Sequence, residues 1–294
     1  MTAMKGLALM ALLLASAAQA QQTVVFSTNA PDGRLGMASR PGAVGIAARE
    51  AADDFLLQQA TSITNATFYG LLPSGANALD ITQVSVEIYR IFPLDSNEPP
   101  SGNVPTRLNG PSDVTLDSRT SGSGLTWSAT ALGSFSVANS VVDGIHPSPN
   151  NMTGGDGFAT GSEFVFSVDF LTPFVLPADH YFFVPQVALS SGTFLWLSAQ
   201  RPVVSPGTPF PPLTTDLQAW IRSSELEPDW LRVGTDIIGG GQTFNGAFSL
   251  STTVTTTPEP TTLMLVASGL MLLGAAARRL AGSARDLPRG SDVQ

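Results

Sequence analysis

Residues 163–170 alternate with period two. Phe164, Phe166, Val168 and Phe170 fall on one side, and Glu163, Val165, Ser167 and Asp169 on the other. An extended strand with one buried face explains that spacing, because successive side chains leave a strand on opposite sides. The same rule places Val84, Val86 and Ile88 inward along residues 82–92, with Gln83, Ser85 and Glu87 outward. Further strands are expected over residues 61–72, 125–137, 181–189, 193–199 and 243–250. Ser190-Ser191-Gly192 reads as the turn of a hairpin between two of them. Residues 47–59 have the best helix propensity, yet a strand is expected from Asp53, after a loop or short helical turn of alanines.

The connections carry Pro, Gly, Asn and Ser, above all over residues 93–111, 143–161 and 201–212, and such stretches do not build a core. Many strands, few helices and Gly/Pro-rich loops imply an all-β body, an antiparallel β-sandwich of jelly-roll type over residues 21–250. No internal repeat suggests a propeller or solenoid.

Charge and cysteine narrow the function classes. Charged residues are 13% of the chain, against roughly 25% in an ordinary globular protein. Between Gln21 and Thr257 stand nine arginines and twenty acids, and the only lysine is Lys5. A body this acidic repels nucleic acid, where cations must neutralise phosphates. With no cysteine there is no disulfide framework, thiolate zinc site or cysteine nucleophile.

Both ends read as targeting segments. Lys5 supplies a positive start, residues 6–15 an apolar stretch, and Ala18-Gln19-Ala20 small residues at the two positions that signal peptidase reads. Residues 1–20 are therefore expected to be a signal peptide, cut between Ala20 and Gln21 after engaging the secretion machinery. At the other end, residues 251–257 read as a Ser/Thr linker. Residues 261–277 are then uncharged and apolar, and as a helix they span roughly 25 Å, about the lower limit for a bilayer. Arg278 and Arg279 follow at once, a basic flank that sets a cytoplasmic side and leaves residues 280–294 as a cytoplasmic tail.

Directly before that apolar stretch stands Pro258-Glu259-Pro260. Two prolines keep the backbone extended, since neither continues a helix interior or a strand. Pro-Glu-Pro, an apolar helix and an arginine pair together resemble the PEP-CTERM sorting signal of Gram-negative bacteria that make extracellular polysaccharide. The resemblance covers residues 257–279. It implies export across the inner membrane, transient anchoring there, processing by an exosortase, and a mature body at the cell surface or in the extracellular matrix. The body is similar only in its β-rich character to uncharacterised domains of such proteins.

The body offers little chemistry in sequence. His180 follows Asp179, but neighbours on a strand face opposite ways, so that pair reads as structural. His146 precedes a proline in a loop. Asn150, Asn151 and Asp156, and separately Asp53-Asp54, are oxygen ligands that would suit calcium, yet neither group has the spacing that six to eight oxygens require. Calcium is thus left without an assigned place, and no catalytic residue, metal ligand or cofactor is named. Trp127 and Trp196 are expected in the core. Trp220 and Trp230 flank an acidic stretch; they read either as anchors of a long loop on the sandwich, the commoner fate of large aromatics, or as candidates for a glycan-stacking face. Glu225 and Glu227 lie on one segment and make no facing pair of the kind a glycosidase needs. The expectation is a non-catalytic structural or interaction protein of the cell surface. A carbohydrate-binding module for exopolysaccharide is the alternative, and an exported hydrolase comes third.

Overall fold

The computed structural model describes residues 19–99, 104, 106–146, 152–256 and 269–278. Residues Gln22–Thr253 form one compact unit, and the two terminal segments together form another. The strands are β1 (Gln19–Ser27), β2 (Pro31–Ala38), β3 (Arg49–Leu57), β4 (Thr61–Leu72), β5 (Ile81–Ile91), β6 (Pro111–Thr120), β7 (Leu125–Val137), β8 (Asn139–Val141), β9 (Ala159–Leu176), β10 (Asp179–Leu189), β11 (Leu195–Ala199), β12 (Trp220–Ser223), β13 (Leu231–Arg232), β14 (Asn245–Gly246) and β15 (Phe248–Thr256).

They form two sheets. In the larger, β4 is central. β9 pairs along one edge of β4 and β7 lies beyond β9, while β15 and β11 share the other edge. Beyond β11 come β2 and then β8, and the β2–β8 pair is parallel in an otherwise antiparallel framework. Only Ala138 separates β7 from β8, so the sheet curls back on itself. The smaller sheet runs β13-β12-β3-β10-β5-β6.

Apolar faces drive the assembly. Phe164, Phe166, Val168 and Phe170 of β9 are all buried, as are Val84, Val86 and Ile88 of β5. Rings from both sheets meet in one core. Phe183 of β10 stacks on Phe248 of β15 at 4.8 Å between centroids, and Trp196 of β11 meets both edge-on. Each such ring contributes roughly 1.5–3 kcal/mol by leaving water. The fit is tight at Gly70, where an added Cβ would stand 1.9 Å from the Phe194 ring.

Several expectations are corrected here. β10 and β11 belong to different sheets, so Ser190-Ser191-Gly192 carries the chain across the core instead of turning a hairpin. β3 begins at Arg49, four residues before Asp53, and the alanines ahead of Asp53 are buried strand. β15 runs to Thr256 with Ser251 paired to Asn65, so most of the expected Ser/Thr linker is strand. Ser85 is buried and Glu87 half-buried, because loops also cover the outer face of the smaller sheet.

In the terminal unit, the described residues 269–278 are helical; no helix among the described residues is long and apolar enough to cross a membrane. Lys5, Ala18, Pro258, Glu259, Pro260 and Arg279 lie outside the described residues, with the rest of both targeting segments. Ala20 and Gln21 stand in β1.

Candidate functional site

The two sheets treat their second faces in opposite ways. On the smaller sheet that face is sealed, and the polar side chains beneath the seal are charged. Arg222 of β12 pairs with Glu50 of β3 and donates to the Tyr89 hydroxyl at 2.9 Å, which donates in turn to Glu87 at 2.9 Å. The guanidinium also lies 4.5 Å from the centre of the Trp230 ring. Burial holds the Tyr89 hydroxyl well above its ordinary range, and burial with the nearby Glu50 raises Glu87.

This arrangement corrects the glycan reading of the tryptophans. Trp220 and Trp230 are 2% and 1% exposed, packed with Tyr89, Phe182 and Val184. The loop before β6 and the start of that strand close over the rings: Trp230 Nε1 donates to the Ser112 carbonyl at 3.3 Å, and Gly110 lies against the Trp220 ring. Trp196 is buried and Trp127 half-buried against the main core.

A second polar cluster joins β3 to the long loop before β12. Asp53 and Asp54 are both buried and, as strand neighbours, serve opposite faces. Asp53 accepts the Gly246 amide at 2.9 Å on the side of the larger sheet. Asp54 accepts the Leu217 amide at 3.2 Å and meets His180 Nε2 at 2.5 Å. Asp216 beside it pairs with Arg201 and Asn245. Burial, with Asp54 and Asp216 nearby, holds Asp53 well above the usual carboxylate range. Burial pushes Asp54 up to about 6 against the pull of the His180 bond. Among the described residues the Asp179 carboxylate accepts only the His180 backbone amide, and the ring partner of His180 is Asp54, 126 positions away. A carboxylate–imidazole pair is the orienting half of a hydrolytic triad. Among the described residues no hydroxyl stands within hydrogen-bond distance of the ring, and the cluster works as a clip that fastens the loop to β3.

The expected oxygen ligands are also engaged elsewhere. Asp156 Oδ2 accepts the amides of Val142, Asp143 and Gly144 at 2.6–3.4 Å, an anchor for its loop. Asn150 and Asn151 lie outside the described residues. Among the described residues no group of three or more His, Asp or Glu side chains is arranged to hold a metal. Glu225 bonds Ser223, and its carboxylate is largely exposed.

The larger sheet leaves much of its second face in water, and that face is nearly free of charge. Its register aligns four strands, β7, β9, β4 and β15, into rows. Thr126, Asp169, Asn65 and Ser251 form one row, and Ser128, Ser167, Thr67 and Ser249 the next. Neighbours along a row stand about 4.8 Å apart, and the rows are about 7 Å apart, the repeat of two strand residues. Thr126, Ser128, Ser167 and Asp169 are exposed, while Ser251 at the far end is buried. Asp169 is the only charge in the rows, and Asn65 donates to it. Thr64 and Thr253 complete a hydroxyl–amide network at 2.6–3.3 Å.

A third row brings Thr130, Val165 and Tyr69. Half-buried Tyr69, with Ser27, Asn29, Pro206, Phe248 and Ser249, lines a cleft of about 350 Å³ with no charged wall. Solvated sheet faces are ordinary in antiparallel proteins. A broad one with no Lys or Arg in β4, β7, β9 or β15 is less so. Hydroxyls and amides here both donate and accept, and the Tyr69 ring offers a face for C–H contact. This is the chemistry that meets a neutral, hydroxyl-rich ligand without stripping water from an unpaired charge.

Sequence reasoning listed half of the second face of β9 but not the rows, which need the register between strands. Compared with known proteins, the chain matches no family model, no curated protein and no solved structure.

Proposed function

We propose that this is an exported bacterial surface or matrix protein whose body, a jelly-roll-like antiparallel sandwich, acts by contact and not by catalysis. The polar rows of the larger sheet are its contact face for neutral extracellular polysaccharide. The observation that carries this reading is the pair of registered rows, Thr126-Asp169-Asn65-Ser251 and Ser128-Ser167-Thr67-Ser249, beside the uncharged Tyr69 cleft.

The export half of the proposal rests on sequence. Signal peptidase cuts after Ala20. The apolar span 261–277, flanked by Arg278 and Arg279, holds the chain in the inner membrane. An exosortase acts at Pro258-Glu259-Pro260 and frees the body. Intact-mass analysis of extracellular material tests it, and a mature species retaining residues 261–277 in cells with a working exosortase would overturn it.

Affinity electrophoresis tests the contact half. The mature protein should be retarded in gels holding a neutral polysaccharide, and Tyr69→Ala together with Ser167→Lys should abolish the retardation. Equal mobility with and without polymer would refute the reading. The Asp54–His180 pair is the one observation favouring an exported hydrolase, and turnover lost in His180→Ala would establish that instead.

A further inference from the structure

The β7 strand is the outer strand of the larger sheet. Among the described residues it pairs with β9 on one side. On the other, Ser121 bridges Leu125 at the near end, the short turn Ala78–Asp80 lies close by, and the Ala138 amide donates to the Gly33 carbonyl at the far end. Between those two ends, no backbone hydrogen bond is made on that edge by residues 126–130 among the described residues. Such edges usually carry a lysine, a proline or an inward charge that discourages pairing with another chain. β7 has none of these in thirteen residues, LTWSATALGSFSV. Its one irregularity, a bulge between Ala131 and Gly133, comes after the free stretch.

We propose that β7 is a self-association edge, and that its partner is β7 of a second copy, antiparallel about a two-fold axis at Ser128. The strand is suited to itself. In that register Thr126 faces Thr130 and Ser128 faces Ser128 on the polar side, while Trp127 faces Ala129 on the core side. Large meets small, hydroxyl meets hydroxyl, and no charge meets its like, as an isologous contact requires. A two-fold axis perpendicular to the sheet keeps both polar faces on one side, so the hydroxyl rows continue across the joint. The half-buried Trp127 gains cover from the partner strand. An acidic second protein would not suffer repulsion here either, but it would lack this matching of each residue with its own counterpart.

The experiment uses the full chain, which contains no cysteine. Sedimentation of the parent protein should give a concentration-dependent dimer. Ser128→Lys, which sets two ammonium groups opposite each other, should weaken it about tenfold or more. Mild oxidation should cross-link Ser128→Cys into a dimer far faster than Thr160→Cys, which is exposed on β9 away from the edge. A parent that stays monomeric, a dimer untouched by Ser128→Lys, or equal cross-linking at both positions would each overturn the proposal. Cross-linking reads the register directly, so it decides the matter even where the lysine variant folds poorly.

Discussion

The smaller sheet hides its charges, whereas the larger sheet leaves open a face that has almost none. In the smaller, Arg222, Glu50 and Glu87 are covered by loops and pay their desolvation by mutual pairing. In the larger, Thr126, Ser128, Ser167 and Thr67 stand in register toward water. The contrast teaches that acidity in this chain is not a surface property of both sheets alike. Part of its charge fastens loops, and the open face stays neutral enough to meet another neutral surface.

The largest test of that contrast is Arg222→Met. It leaves Glu50 buried without its cation, and such losses cost about 3–5 kcal/mol. Urea unfolding should show the loss in the midpoint, and a midpoint unchanged would mean that the pair is not structural. Next comes Gly70→Ala on the floor of the larger sheet. The added methyl meets the Phe194 ring, and overpacking of that kind costs about 1–3 kcal/mol by the same measurement.

Acidity gives a third, smaller handle. Asp54 binds its proton more tightly in the folded chain, at about 6, than an ordinary aspartate does at 3.8, and Asp53 is shifted the same way. Folding therefore takes up protons. The stabilisation is complete below about 3.8 and is lost as pH rises through about 6. Thermal unfolding should show melting temperature falling from pH 5 to pH 7, with a shallower fall in Asp54→Asn. A rise over that range would contradict the buried-carboxyl account. The smallest effect belongs to the open rows, where Ser167→Ala should change stability by no more than about 0.5 kcal/mol, since nothing is left unpaired in the core.

Much of the fold was legible where one face is apolar and the other is not. The bounds of β4 and β7 match the expected spans, and β9 extends the expected segment at both ends. β2, β6, β12 and β13 lack such alternation and were not anticipated. Periodicity also says nothing about which strands become neighbours. That is why residues 181–199 resembled a hairpin and instead cross between sheets. Of the two readings open for Trp220 and Trp230, burial selects the loop anchor over the glycan face, because the loop before β6 and the start of that strand cover both rings while Asp229 is taken up by Arg107. The Asp54–His180 clip left a faint signal. A carboxylate within an apolar strand needs a partner, and the chain has only two histidines.

The central claim is that contact runs through the open rows of the larger sheet. Its most direct test is to titrate the isotope-labelled mature protein with a soluble neutral glucan and follow the amide resonances. The account predicts shifts concentrated at Asn65, Thr67, Tyr69, Ser128, Ser167 and Asp169, with Trp220, Trp230 and His180 unmoved. Shifts centred on Trp220 and Trp230, or none at any glucan concentration, would contradict it.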